Sequence, residues 1–181
     1  MTQSILSEKN FLHFCNRQKT LDSYIREMQG ITDEQWLNED SLRIKQSIAL
    51  TIEQSKFANE CKDLFKYWKN NPQINRENLL DEAVDVIHFI NLFLLKIDVD
   101  LSSFIQELND GYAEMIVKIN ESENTEMYEV LGYFLETDHL VLKYITLLII
   151  LGEHYDVTEE ELLKAFNKKN AINRKRQDDG Y

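Results

Sequence analysis

Residues 79–95, LLDEAVDVIHFINLFLL, decide the fold of this chain. Apolar side chains occupy nearly every side of a helix drawn through this stretch, and a helix that is apolar all round belongs at the centre of a protein. We therefore predict a central helix over about residues 78–99. Polar residues interrupt both this stretch and a second apolar one at residues 140–151, so neither reaches the ~20 apolar residues that a membrane span needs.

The composition of the chain favours an all-α fold. Only five Gly and one Pro occur in 181 residues, whereas a β-sandwich or barrel needs turn residues every ~8–12 positions. The hydrophobic fraction of 43% is enough to form a core, so the formal net charge of −12 does not indicate disorder. We expect one domain over residues 1–181.

Hydrophobic periodicity divides this all-α bundle into about six helices. A stripe of six residues marks the first helix, which Gly30 ends: Phe11, Phe14, Gln18, Leu21, Ile25 and Met28. The others are predicted at about 41–66, 78–99, 101–119, 127–151 with a break near 137–139, and 158–178, with a possible short turn after Thr32. Thr158 and Glu161 form the capping box that opens the last helix.

Charge and cysteine content limit the partners and the compartment. The chain has 32 acidic and 20 basic residues, and this balance disfavours a nucleic-acid binder, which would present a basic face to phosphates. Two widely separated cysteines indicate neither a disulfide framework nor a zinc site. Residues 1–10 lack the pattern of a signal peptide. We expect a cytoplasmic protein that binds neither nucleic acid nor membrane.

Carboxylates interrupt the central helix and suggest a metal site. Asp81, Glu82, Asp85 and His88 fall within its apolar surface, and Glu82 and Asp85 are three residues apart, so they share a face. Burying an unpaired carboxylate is costly, and a divalent cation compensates several carboxylates at once. The alternative is that this face is solvated or paired with Lys or Arg.

The second helix carries a matching polar ridge, consisting of Glu53, Lys56, Glu60 and Asp63. Placed against the central helix, these side chains could complete an oxygen-ligand site suited to Mg²⁺, which substrate phosphates often complete. Alternatively, Lys56 pairs with Glu53 and Glu60 on the surface.

The last helix turns from an apolar face to a cationic one along the stripe Leu162, Phe166, Lys169, Asn173 and Arg176. Residues 164–177 contain six bases and no acid. Cations near a helix C-terminus are favoured by the helix dipole, but the dipole does not explain three polar donors on the core-facing stripe. A polyphosphate that bridges Mg²⁺ and these donors would explain them.

Two further residues could recognise a planar ligand. Gln18 lies on an apolar stripe, and a buried amide needs hydrogen-bond partners. It could bond the backbone or Asp22, or it could bind the edge of a nucleobase. Trp68 could stack on such a base or fill the core.

Together these elements resemble the dimeric, all-α dUTPases, a branch of the all-α NTP pyrophosphatase (MazG-like) superfamily. The matching motifs occur in order along most of the chain: Gln18-x-x-Leu21-Asp22-x-x-Ile25, Ala58-Asn59-Glu60, Phe65-Lys66-Tyr67-Trp68, Glu82-x-x-Asp85 with His88-Phe89, Lys169-Asn170, Asn173, Arg176-Gln177 and Gly180-Tyr181. The resemblance implies a homodimer that hydrolyses dUTP, and dUDP, between the α and β phosphates.

The resemblance also implies the roles of particular residues. Two or more Mg²⁺ ions would be held by an E-x-x-E and an E-x-x-D pair, and a metal-activated water would attack the phosphate. The implied roles are metal binding and catalysis for Glu53, Glu82 and Asp85, uracil binding for Gln18 and Trp68, phosphate binding for Lys169, Asn173 and Arg176, and positions near the substrate for Lys66 and His88.

The chain departs from the family pattern at Lys56, which stands where the second Glu of E-x-x-E is expected. A shifted register, in which Glu60 and Asp63 form the acidic pair, is the alternative. The substitution also raises a second functional hypothesis, a catalytically impaired dUTPase-like protein that binds nucleotide or acts as a regulator.

Overall fold

The structure, a computed structural model, describes residues 5–122 and 125–180. Within these ranges the chain is helical throughout, with irregular connections. The elements are α1 (Glu8–Gln29), α2 (Asp33–Asn38), α3 (Asp40–Glu60), α4 (Lys62–Phe65), α5 (Arg76–Lys96), α6 (Leu101–Glu121), α7 (Met127–Glu136), α8 (Leu140–Ile149), a π-helical segment (Ile150–His154) and α9 (Glu159–Asp178). Tyr181, which belongs to the last matching motif, lies outside the described residues.

The all-α class is confirmed, but the predicted number of about six helices is wrong, because the described residues form nine α-helices. The connection at 31–40 contains α2, whose capping box pairs Thr32 with Gln35. The helix predicted over 41–66 is interrupted at Cys61, whose backbone leaves helical geometry while its side chain is fully buried. The predicted break at 137–139 separates α7 from α8.

Helix α5 lies at the centre of the bundle, as the opening stretch of sequence predicts. It contacts α1, α3, α8 and α9. Leu79, Ala83 and Ile87 on this helix are fully buried, one turn apart along its length. Each candidate site residue on α5 is therefore held on a helix whose position is fixed from several sides.

The predicted ends of two helices are confirmed. Gly30 ends α1 in the left-handed region, with φ of 64°, and donates its N–H to the carbonyls of Arg26 and Glu27. Thr158 and Glu161 form the predicted capping box at the start of α9. These caps fix the boundaries of the two helices that carry Gln18 and Lys169.

Across the described residues, the structure contains no helix with the length and apolar character required to cross a bilayer.

Candidate functional site

A pocket of about 300 Å³ opens among α1, α2, α3, α5 and α9. Apolar side chains such as Leu21, Ile25 and Leu92 line much of it. Five of the predicted site residues also line it: Gln18, Asp85, His88, Asn173 and Arg176. The pocket therefore brings together residues from the two ends of the chain and from the central helix.

Gln18 and His88 form a buried hydrogen-bonded pair at the pocket wall. Each side chain is 5% exposed, and His88 Nδ1 lies 2.6 Å from Gln18 Oε1. Because Oε1 can only accept, the His88 proton resides on Nδ1 and is donated to Gln18. Burial, aided by the nearby Lys169 charge, lowers the pKa of His88 to about 3, so the ring is neutral near pH 7.

The ring of His88 is also held from its face. It stacks on Phe166 of α9, with ring centroids 4.5 Å apart, and Phe166 stacks on Phe14 of α1 at 4.0 Å. The three stacked side chains come from α5, α9 and α1. Sequence periodicity alone does not distinguish this arrangement from ordinary apolar packing.

Three carboxylates from α3 and α5 meet beside the pocket. One oxygen from each of Glu53, Glu82 and Asp85 lies within 4.8 Å of the others, and all three residues are half-buried. This group will be called the carboxylate cluster. Asp85 belongs both to the cluster and to the pocket lining, so the two features are contiguous.

Lys56 lies against the carboxylate cluster. Its Nζ donates to Glu53 Oε2 at 2.7 Å and lies 3.7 Å from Glu82 Oε2 on the facing helix. The hydrogen bond to Glu53 raises the pKa of Lys56, although desolvation acts in the opposite direction. Lys56 is therefore a fixed positive charge that bridges α3 and α5.

Lys169 of α9 contacts two carboxylates of the central helix. Its Nζ lies 2.7 Å from Asp81 Oδ2 and 2.7 Å from Asp85 Oδ2, and its side chain is 7% exposed. Burial works to lower the pKa of Lys169, but the hydrogen bonds to the two carboxylates outweigh it and raise the pKa. Lys169, predicted to bind phosphate, is thus paired with carboxylates.

Burial also changes the acids of the cluster. Desolvation raises the pKa of Glu82, and the nearby Lys56 charge offsets part of that rise. Desolvation raises the pKa of Asp85 as well, opposed by its hydrogen bond to Lys169. The Oε2 atom of Glu82 is buried and has no hydrogen-bond partner among the described residues.

Four other residues of the sequence hypotheses lie apart from the cluster. Trp68 is 61% exposed and contacts Phe65 and Tyr67 edge-on, away from the pocket lining. Lys66 Nζ donates to Asn59 Oδ1 at 3.0 Å. Asp63 of the alternative register accepts from Tyr155 at 2.7 Å and lies 2.8 Å from His154, while Glu60 lies 3.7 Å from Lys62.

Sequence reasoning missed the wall of the pocket that Trp36 and Arg26 form. Trp36 of α2 is 9% exposed and lines the pocket, and the Arg26 guanidinium lies 4.7 Å above its ring. The signal that could have found this wall is the capping box of Thr32 and Gln35, which places Trp36 in a helix instead of a loop.

The residues of the carboxylate cluster suit a hard divalent cation. Oxygen ligands are what Mg²⁺ prefers, and it is commonly held by one or two carboxylates with water and substrate phosphate. The Oε2 atom of Glu82 lies 3.7 Å from the Lys56 ammonium but has no hydrogen-bond partner among the described residues, so it is an acceptor that such a cation would satisfy. The donor set therefore fits Mg²⁺, with Lys56 as the one positive charge that competes with a cation at Glu53 and Glu82.

The fold and the pocket together define an all-helical protein with a clustered acidic site beside an apolar cavity. The family model described as dUTPase matches residues 10–181. The chain therefore belongs to the dUTPase family. A search of curated proteins finds no match.

Proposed function

We propose that this protein is a Mg²⁺-dependent dUTP diphosphatase that converts dUTP and water to dUMP and pyrophosphate. Family membership supports the activity. The observation that carries the proposal is the position of Asp85, which lines the pocket and also belongs to the carboxylate cluster. A nucleotide bound in the pocket would therefore have its phosphates beside the acids.

In this proposal the base lies against Gln18 and His88. The His88 proton holds Gln18 Oε1, which leaves the amide nitrogen of Gln18 as the donor to a uracil carbonyl. Apolar residues of α1 and α2 exclude water around the base. Cytosine carries an amino donor where uracil carries its O4 carbonyl, so a Gln18 amide donor directed at that position would be left unpaired by cytosine, and this wall would favour uracil.

In this proposal, side chains of α9 bind the phosphates directly, and the carboxylate cluster binds them through magnesium. Asn173 and Arg176 line the pocket from α9, and the Nη1 atom of Arg176 lies 3.4 Å from Asn173 Oδ1. Glu53, Glu82 and Asp85 would hold the magnesium. When bound, magnesium neutralises polyphosphate charge and lowers the pKa of water. A carboxylate of the cluster accepts the proton that the attacking water loses.

A second candidate function is nucleotide binding without efficient turnover. It is favoured by the 2.7 Å bond between Lys56 and Glu53, which engages a carboxylate that the reaction would use.

The homodimer and the cytoplasmic location expected from the sequence remain parts of the proposal. Sedimentation of the purified chain tests whether it forms a homodimer.

Pyrophosphate release from dUTP, with Mg²⁺ and with EDTA, tests the proposed activity. Release above background only with Mg²⁺ supports it, with dCTP and dTTP as controls for the base. Thermal unfolding with a non-hydrolysable dUTP analogue then separates the two candidates. Stabilisation without turnover supports the binding protein, since a ligand that binds the folded state raises the melting temperature. If the protein shows no turnover and no stabilisation, both candidate functions are ruled out.

A further inference from the structure

The position of Lys56 differs from that of an ordinary surface lysine. A lysine three residues after a glutamate commonly pairs with it along one helix, and such a pair contributes only a few tenths of a kcal/mol. Lys56 also approaches Glu82 on another helix, at 3.7 Å. The Lys56 side chain is itself 48% exposed, but the side chains of Glu53 and Glu82 are only 16% and 25% exposed, so the ammonium lies against two carboxylates that solvent reaches poorly.

The charges around the cluster leave room for one divalent cation. Four carboxylates lie here, Asp81 in addition to the three of the cluster, together with the ammonium groups of Lys56 and Lys169. Four negative and two positive charges leave −2. One Mg²⁺ balances this charge, whereas a second would leave an excess of positive charge in a half-buried site, which is unfavourable.

We propose that the Lys56 ammonium takes the place of one divalent cation, so that each chain binds a single Mg²⁺ at the carboxylate cluster. This inference rests on the proposed function, since it concerns the metal requirement of the same site. It concerns the number of ions and the affinity for them, which are measurable without substrate.

The number of bound ions tests the proposal directly. Mn²⁺ is added to the full chain without nucleotide, and free Mn²⁺ is counted by its electron paramagnetic resonance signal. We expect one ion per chain for the wild type and two for Lys56→Glu, in which the added carboxylate leaves a charge of −4. Lys45→Glu, an exposed substitution on the same helix with the same charge change, should still bind one.

A neutral variant covers the case in which Lys56→Glu does not fold. Lys56→Gln removes the positive charge without adding a ligand, so we expect one ion bound roughly tenfold more tightly or better. Circular dichroism confirms that each variant is helical. The proposal is overturned if the wild type binds two ions or none, if folded Lys56→Glu binds no more than the wild type, or if Lys56→Gln shows unchanged affinity.

The failure of this inference can be distinguished from the failure of the proposed function. A wild-type chain that hydrolyses dUTP but binds two Mn²⁺ keeps the proposed function and overturns the inference. A chain that binds one Mn²⁺ with the expected response to the variants, yet releases no pyrophosphate, keeps the role of Lys56 and overturns the enzymatic assignment.

Discussion

His88 donates a buried 2.6 Å hydrogen bond to Gln18, joining the central helix to the first helix at the pocket wall. The bond determines which atom of Gln18 can face a ligand. Because both side chains are 5% exposed, neither has water as a substitute partner. If the pocket binds uracil as proposed, the pair would make recognition of the base depend on the protonation state of one imidazole ring.

The first prediction concerns stability in acid. His88 has a pKa lowered to about 3, against 6.5 for an ordinary histidine. As the pH falls, the unfolded chain therefore binds a proton at this residue before the folded chain does. The stability that the neutral ring contributes is complete above pH 6.5 and is lost as the pH falls towards 3. The loss is up to roughly 1.4 kcal/mol per pH unit. Urea unfolding of wild type and His88→Asn at several pH values measures it.

We expect the free energy of unfolding of His88→Asn to fall less steeply between pH 6.5 and 4 than that of the wild type. The exposed His139 provides the matched control, since His139→Asn should keep the wild-type slope. Glu82 and Asp85, whose pKa values are raised, act in the opposite direction but are common to all three proteins. Equal slopes for His88→Asn and wild type would contradict a buried neutral ring.

The second prediction concerns catalysis. Asp85→Asn and Glu82→Gln each remove one cluster charge with little change in shape, and each should reduce kcat for dUTP by about 10²-fold or more, equivalent to ~3 kcal/mol. Glu77 lies on the same helix, but its side chain is 77% exposed and pairs with Lys168. The kcat of Glu77→Gln should therefore stay near that of the wild type. Steady-state pyrophosphate release is the measurement. Near-normal rates in both cluster variants would remove the cluster from the mechanism.

The third prediction concerns the stack of Phe14, Phe166 and His88. Phe166 is fully buried and contacts both neighbouring rings face-on. Phe166→Ala removes the middle ring and should lower the free energy of unfolding by about 3–5 kcal/mol, measured by urea denaturation. Phe166→Leu keeps most of the volume and should lose markedly less. A loss below about 1 kcal/mol for Phe166→Ala would contradict the packing described.

The fourth prediction concerns the two thiols. Burial raises the pKa of Cys15 and of Cys61 to about 12, so neither forms appreciable thiolate near neutral pH. The native protein should react with Ellman's reagent only as it unfolds, and both thiols should react quickly in urea. Rapid labelling of a native thiol would show that the core around it opens.

The sequence predicts those features of the fold that depend on residues close together along the chain. Gly30 and the Thr158 capping box set helix ends through local hydrogen bonds, and the apolar surface of α5 alone indicates a central helix. The helix count fails because α2 forms in the connection at 31–40, because the break at 137–139 makes α7 and α8 separate helices, and because Cys61 leaves helical geometry inside an otherwise helical pattern. Backbone breaks of this kind depend on the tertiary position of one buried side chain, which periodicity does not record.

In the candidate site, too, sequence predicts what local spacing determines and misses what depends on how the helices dock. The spacing of Glu82 and Asp85 places both on one face of α5, and the structure brings Glu53 beside them. The pairing of Lys169 with Asp81 and Asp85 joins residues more than 80 positions apart, so it follows only from how α9 docks on α5. Sequence indicates a cationic stripe on α9, but it does not distinguish phosphate from carboxylate as the partner.

The pocket has walls from α1 and α9, the first and last helices of the described chain. During synthesis on a ribosome, Gln18 emerges more than 150 residues before Asn173. A nascent chain therefore has no complete pocket until α9 has been made and has docked. A ligand of this pocket therefore cannot assist the early stages of folding, and it can stabilise only a chain in which α1 and α9 have already come together.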